Sequence, residues 1–456
     1  MFFPFMRVLM STSDLIIIEV GSTLTKATAL AGIGSGVARI TAQAQALTTV
    51  AEGDAMLGVE AVLGRLRDSL NGAPLPAHML ACSSAAGGLR MAAIGLAQDM
   101  TVRAAKEACL GAGAVLRSVH SGKMKSRQLK QLLAEKPTVI LLAGGTDGGD
   151  EETVLHNAGM LAQSGLQAPL IYAGNKECAP EIRELLKPYA GEWTMVPNVY
   201  PGVDELNILP ARQEIQRVFS IHIVKAPGMQ RLRERIQGQI LPVPAAVLIC
   251  AEKLAEQGEE ILVIDVGGAT TDVHSVTDGN AEFRHMALEP EPRSKRTVEG
   301  DLGVFVNAEQ VMKETEGGDV QGDIRDLSPL PDAPAQRELS LKLGRKAVHV
   351  AVRRHAGKLV ERFTATGKAN SLVGKDLTAI TLIVGTGGFL TRLPGAAQIL
   401  REIPKPFDGR YLLPQPKARL AVDRDYIFSA AGVLALTYPA EALALAKTSI
   451  DKKVLF

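Results

Sequence analysis

Two stretches far apart in the chain place an acid, glycines and hydroxyl residues at the same spacing: Glu19-Val-Gly-Ser-Thr-Leu-Thr-Lys26 and Asp265-Val-Gly-Gly-Ala-Thr-Thr-Asp272. Glycines let a backbone come close to phosphate oxygens, and the N–H groups of such a turn act as donors. Gly21, Ser22, Thr23 and Thr25 in the first stretch, and Gly267, Gly268, Thr270 and Thr271 in the second, are therefore candidate ligands for a phosphate chain, with Lys26 as a candidate positive charge. Glu19 and Asp265 would repel phosphate on direct contact. They suit a hydrated Mg2+, which takes oxygen ligands and keeps most of its water. Asp272 adds a carboxylate near the metal or an attacking water, so Asp265, Asp272 and Glu19 are the candidate catalytic acids. A third glycine turn, Val384-Gly-Thr-Gly-Gly-Phe389, offers Gly385, Thr386, Gly387 and Gly388 to adenosine or phosphate. One such turn reads equally well as an ordinary β-hairpin. The pair, with the third turn behind it, points to ATP bound with Mg2+.

The surrounding patterns supply the elements that must hold these turns. Apolar runs, Leu15-Ile-Ile-Ile18 and Ile261-Leu-Val-Ile264, precede the two acids and read as buried strands. The spacing predicts a β-meander after the first turn, a helix over 54–68, a strand over 78–84, a helix over 89–111 and a strand over 114–122. From 125 onward, apolar strands (138–145, 168–174) alternate with helices (126–136, 152–163, 179–189), the mark of a parallel sheet with right-handed crossovers. A mainly helical stretch fills 203–258. After the second turn the sheet continues through 280–300. The Gly/Asp/Pro-rich stretch 314–337 reads as loop, 338–364 as helix, 378–390 as strand, turn and helix start, and 417–436 as strand and small-residue helix. Asp423 is either a hinge residue or a surface-loop carboxylate.

Composition narrows the function. The chain has 456 residues, 46% of them hydrophobic and 22% charged, which is a globular and not a disordered balance. A net charge of +1 and 4% aromatics give no electrostatic or stacking basis for nucleic-acid binding. No uninterrupted apolar stretch reaches the roughly 18 residues of a membrane span. Cys82, Cys109, Cys178 and Cys250 lie far apart, without zinc or iron–sulfur spacing, and read as reduced thiols of a cytoplasmic protein. The apolar start is broken by Pro4 and Arg7 and lacks a basic n-region, so it reads as a disordered extension over residues 1–13 and not as a signal peptide.

The three turns, in this order along the chain, resemble the phosphate-1, phosphate-2 and adenosine motifs of the actin/Hsp70/sugar-kinase superfamily. That resemblance implies a two-lobed, ribonuclease H-like ATPase fold. It divides the chain into a first lobe (14–124), an inserted α/β subdomain (125–200), a helical connecting segment (201–258) and a second lobe (259–456). One departure is Glu19, where that superfamily normally has Asp. Longer stretches, ACSSAAGGLRM (81–91), HSGKMKSRQL (120–129), LLAGGTDGGDEETVLHNA (141–158), YAGNKECAPEI (172–182) and VPNVYPGVDELNILPAR (196–212), resemble the MutL/GlmL glutamate mutase accessory family, which is distinct from the mismatch-repair protein of the same name. This resemblance implies ATP-dependent reactivation of an adenosylcobalamin-dependent mutase, glutamate mutase or an aminomutase. The cofactors of the chain itself would be ATP or ADP and Mg2+, with the cobalamin belonging to the partner.

Other features stay open. The Ala143–Asp150 segment offers backbone donors, but Asp147, Asp150, Glu151 and Glu152 make it acidic. It is either a helix start with favourable acids or a partner or metal contact. His120, Lys123 and Lys125 form a small basic cluster on a solvated face. The histidines show no ligand spacing. Two other readings of the clamp are a small-molecule kinase on the same scaffold and a non-enzymatic actin-like assembly module. The cysteine spacing argues against an iron–sulfur dehydratase activator.

Overall fold

A computed structural model describes residues 13–50, 52–84, 89–314, 320–364 and 367–451. The expected extension at 1–13 lies outside the described residues up to position 12, as do 85–88 and 315–319 of the stretches quoted above.

The first sheet is built by β1 (Leu15–Val20), β2 (Leu24–Ala31), β3 (Arg39–Leu47) and β4 (Met79–Ser83). A second, all-parallel sheet follows, from β5 (Leu89–Gly95), β6 (Ala114–Ser121), β7 (Val139–Leu142), β8 (Leu170–Tyr172) and β9 (Trp193–Met195). The short β10 (Leu241–Pro242) then returns to the first sheet beside β4. The third sheet uses β11 (Ile261–Val266), β12 (Thr271–Val276), β13 (Ser294–Glu299) and, after a separate two-stranded hairpin of β14 (Lys358–Thr364) and β15 (Gly367–Val373), β16 (Leu382–Thr386) and β17 (Arg419–Val422).

The first and third sheets have the same wiring. Their orders are β3-β2-β1-β4-β10 and β13-β12-β11-β16-β17. In each, three antiparallel strands are followed by two parallel ones. This duplicated unit is the two-lobed actin/Hsp70-like fold, and the parallel β6-β5-β7-β8-β9 sheet is the α/β insertion within it.

Period-2 alternation assigns each face of the paired strands to a different core. Ile16, Ile18 and Val20 pack with the helix Ala55–Ser69, while Leu15 and Ile17 pack against the helix Phe428–Ala435. On β11, Leu262, Ile264 and Val266 face one core, and Ile261 and Val263 face the helices Val243–Ala255 and Phe428–Ala435. These two helices fill the space between the lobes. They touch where Gly432 lies on Ala246, closely enough that a Cβ at 432 would stand 1.7 Å from the Ala246 carbonyl oxygen. Glu19 and Asp265 share the parity of the inter-lobe residues, so both acids project toward this junction.

Two expectations are corrected. Residues 89–111 are not one helix: β5 is followed by the helix Thr101–Gly111. Alanine and methionine favour a helix locally, but Leu89, Met91, Ala92, Ala93 and Ile94 are fully buried, and a strand in the middle of a parallel sheet buries both its faces. The inserted sheet therefore begins at Leu89, ahead of the expected 125. It shares one continuous apolar core with the first lobe. Likewise the helix expected over 338–364 runs from Pro334 to His355, and β14 follows it. No helix among the described residues is long and apolar enough to cross a membrane.

Candidate functional site

The two acid–glycine stretches fold into matching hairpins. In the first, Glu19 pairs with Lys26 and Val20 with Thr25, and the Gly21 amide donates to the Leu24 carbonyl at 3.0 Å. In the second, Asp265 pairs with Asp272 and Val266 with Thr271, and the Gly267 amide donates to the Thr270 carbonyl at 2.9 Å. Each turn is braced from behind. Thr48 Oγ1 donates to the Gly21 carbonyl at 2.9 Å, and the amides of Phe305 and Val306 donate to the Gly268 carbonyl at 3.0 and 2.7 Å. The turns face one another: a Cβ on Gly268 would lie 3.3 Å from Thr23 Oγ1.

Between the lobes lies a cleft of about 410 Å³. Glu19, Gly21, Ser22, Thr23, Asp265, Gly267, Gly268, Thr270, Asp272 and Gly388 all line it. The remaining predicted residues do not. Thr25 is buried against Thr48 Oγ1 at 3.0 Å, and Thr271 donates to the Leu302 carbonyl at 2.6 Å. Both point to the core because they follow the lining residue by one position on a strand. Gly385 packs on Leu400 and Leu390. Thr386 Oγ1 donates to Asp423 Oδ2 at 2.9 Å. Gly387 takes φ +84, and a Cβ there would meet Asp265 Oδ1 at 2.4 Å, so the third turn lies directly on the second-lobe acid.

Lys26 does not line the cleft either, although it shares the face of Glu19. Its Nζ sits 3.1 Å from Glu19 Oε2, donates to the Tyr426 carbonyl at 2.6 Å and lies 3.4 Å from the Tyr426 ring centroid. Tyr426 adopts the left-handed φ of +50. Glu19 also accepts from Ser429 Oγ on the inter-lobe helix. Asp423 is no surface carboxylate. It is fully buried and accepts from Thr386, from Ser449 Oγ at 2.7 Å and from the amides of Ile427 and Phe428, which are free of helical partners at the start of the helix Phe428–Ala435.

The charge balance of the floor is negative. Burial, then the nearby Asp272 and Glu19, push the Asp265 carboxyl up to about 8, with Lys26 opposing. Asp272 accepts from Thr270 Oγ1 at 3.0 Å and from Arg296. Among the described residues no group of three or more His, Cys, Asp or Glu side chains is set to hold a metal alone. Two crowded carboxylates suit a hydrated hard cation, which would relieve their mutual repulsion.

The cleft also includes residues that the turn motifs do not reveal: the loop Ser328 to Asp332, Arg337 and Ser340 on the helix Pro334–His355, and Arg392, Leu393 and Pro394 after the third turn. Arg337 and Ser340 are three apart, hence on one face of their helix. That spacing was the available signal, but it gains meaning only once the helix is seen to border the cleft. The Ala143–Asp150 loop is held by two asparagines from later in the chain. Asn198 Nδ2 donates to the Gly145 carbonyl at 3.0 Å and to Asp147 Oδ1 at 2.9 Å, and the Gly148 amide donates to Asn175 Oδ1 at 3.0 Å.

The family model described as MutL protein matches residues 15–450, nearly the whole described chain. The chain belongs to the MutL family. It is 36% identical over 462 residues to Protein MutL of Clostridium tetanomorphum, covering 96% of this chain and 99% of that one. Among solved structures, this MutL-family chain aligns with a nucleotide-free acetone carboxylase (13% identity, TM-score 0.40, 93% of this chain and 70% of that one). It also aligns with a diol dehydratase-reactivating factor in nucleotide-free form (12% identity, TM-score 0.35, 94% and 100%).

Proposed function

We propose that the cleft binds ATP with Mg2+, that the chain hydrolyses it slowly, and that the resulting opening and closing of the lobes reactivates an adenosylcobalamin-dependent mutase by releasing damaged cobalamin. The observation that carries the nucleotide reading is the meeting of the two hairpins, Thr23 against Gly268, across a cleft floored by Glu19, Asp265 and Asp272. In this reading Gly21, Ser22, Thr23, Gly267, Gly268 and Thr270 surround the phosphates. Glu19 and Asp265 would hold the hydrated Mg2+, whose charge would neutralise the phosphates. Asp272 orients water. Gly388, Arg392, Arg337 and Ser340 border the end of the cleft left for adenosine. The partner class rests on family membership; glutamate mutase is the first partner to test.

The chemistry asks little of the protein beyond positioning and electrostatics. Hydrolysis matters through what it does to the junction: Glu19 touches Ser429 and Lys26 touches Tyr426, so both ends of the first hairpin are tied to the segment that enters the inter-lobe helix. A ligand moves such an equilibrium only by contacting its two states differently, and a cation held by Glu19 would compete with Ser429 for that carboxylate. Asp265→Ala should abolish ATP turnover in the purified chain. Turnover at the wild-type rate would overturn the assignment. Recovery of a cobalamin mutase from native extract on the immobilised chain with ADP, and not without nucleotide, would support the partner; identical recovery in both would count against nucleotide control.

A further inference from the structure

Arg296 on β13 is among the largest fully buried side chains of the protein. Its Nε and Nη2 donate to Asp272 Oδ1 at 2.9 and 2.5 Å. Its Nη1 donates to the carbonyls of Leu110 and Ala114 at 3.0 and 2.9 Å. Leu110 lies in the last turn of the helix Thr101–Gly111, and Ala114 opens β6, the edge strand of the inserted sheet. A single guanidinium thus joins a carboxylate lining the cleft to the corner where the inserted sheet's first helix returns to its edge strand. The site suits a cation on both sides, since the C-terminal carbonyls of a helix carry partial negative charge. A forked, planar group with five donors suits a carboxylate and two carbonyls that lie apart.

The corner has little slack. Gly113 takes φ +91, and a Cβ there would lie 2.6 Å from Pro242 Cβ at the start of an inter-lobe helix. Other contacts dock the same helix on the second lobe without reaching the cleft: Arg103 pairs with Glu289 and, at 2.8 Å, with Glu291, and Lys295 lies 3.4 Å from Glu107. Directly across from Arg296, on the Asp272 face of β12, His274 is fully buried, and neither ring nitrogen has a hydrogen-bond partner. An unsatisfied polar ring in a packed interior is costly. Here it offers the guanidinium an acceptor other than Asp272.

We propose that Arg296 is a positioning residue that couples occupancy of the cleft to the inserted sheet: when Asp272 turns to accept from the water beside a bound phosphate chain, Arg296 releases Oδ1, turns toward His274, and shifts the Leu110–Ala114 corner. This rests on the reading that the cleft takes a nucleotide. The inserted sheet would thereby report the state of the cleft to whatever docks on it.

The test is hydrogen–deuterium exchange on the full chain, with and without ADP and Mg2+, read at peptides spanning residues 108–116, with nucleotide binding measured in parallel. In the wild type, nucleotide changes exchange there by about fivefold or more, the range of ordinary allosteric coupling. Arg296→Gln should still bind nucleotide and lose that change. Arg296→Lys, which keeps charge and bulk without the fork, should lose it too and guards against a folding defect in the first variant. Arg103→Gln, in the same interface, should keep it. A retained response in both Arg296 variants, or an equal loss in Arg103→Gln, would overturn the coupling. So would a wild-type chain that binds nucleotide without any change at 108–116. A wild type that binds no nucleotide would bring down the reading of the cleft, and the coupling with it.

Discussion

Lys26 and Asp272 occupy the same position in the two hairpins, each directly across from that hairpin's acid, Glu19 or Asp265. The repeat in backbone is therefore not a repeat in charge. The first hairpin closes on an ion pair, and the second sets acid against acid. Lys26 is spent on Glu19, on the Tyr426 carbonyl and on the Tyr426 ring, whereas Asp272 draws its cation from β13. Glu19 is longer than Asp by one carbon, about 1.5 Å. That extra reach is what lets its carboxylate meet Ser429 on the inter-lobe helix. A residue at odds with the expected motif thus acquires a structural reason: it links the first hairpin to the junction.

Removing Lys26 should leave Glu19 charged and buried. Lys26→Met is expected to cost about 3 kcal/mol or more, as for one partner of a buried pair. Lys26→Met with Glu19→Gln, which removes both charges, should recover most of that. Urea unfolding of the two variants and the wild type checks this. Equal losses in the single and double variants would show that the pair itself contributes little.

The second hairpin predicts a pH dependence of opposite origin. Asp265 titrates near 8 in the folded chain, against about 3.9 when unfolded. Folding therefore favours its protonated form. The associated stability is fully present below about 4 and is lost as pH rises through 8, with a limiting slope of about 1.4 kcal/mol per pH unit between those values. In the absence of divalent cations, Asp265→Asn should flatten this slope and be more stable than the wild type at pH 9. Thermal or urea unfolding at pH 6 and pH 9 provides the measurement, and parallel slopes for both proteins would contradict it.

Much of this was legible beforehand. The acids and glycines of both hairpins could be found because strand–turn–strand geometry is local: an apolar run, a glycine and a period of two place Glu19 and Asp265 at strand ends and make Thr23 and Gly268 turn residues. The wrong side-chain directions have one cause. Thr25, Lys26 and Thr271 belong to the motif by spacing, but their orientation depends on pairing partners such as Thr48, Tyr426 and Leu302, which lie elsewhere in the chain. The same limit hid Arg296, whose meaning comes from Leu110 and Ala114, more than 180 positions away. It also hid β5, since Leu89-Arg-Met-Ala-Ala-Ile-Gly95 has helix-favouring residues and becomes a strand through burial between β6 and β7.

The contact of Gly432 with Ala246 predicts the behaviour of the junction. Gly432→Ala gains helix propensity, about 1 kcal/mol, yet its methyl would stand 1.7 Å from the Ala246 carbonyl oxygen. The helices Val243–Ala255 and Phe428–Ala435 must move apart, and overpacking of this kind costs about 1–3 kcal/mol. The variant should be less stable in urea despite the better helix former, and Gly432→Val more so. An increase in stability for Gly432→Ala would mean that the helices separate freely.

The residues bordering the far end of the cleft predict nucleotide selectivity. Arg337 is exposed, with its Nε donating to the Pro331 carbonyl at 3.3 Å, while Ser340 beside it is buried, and both face the same opening as Arg392 and Gly388. If a base rests there, Arg337→Ala removes a planar cation able to stack on it, an interaction of about 1–2 kcal/mol, which is roughly a tenfold weakening of ATP binding. The effect should appear in the dissociation constant and leave the melting temperature of the free protein within a degree or two, since exposed side chains contribute little to stability. Inorganic triphosphate, which lacks a base, should bind wild type and Arg337→Ala alike. Titration calorimetry with ATP and with triphosphate separates the two contributions. An equal loss for both ligands would move Arg337 from the base to the phosphates.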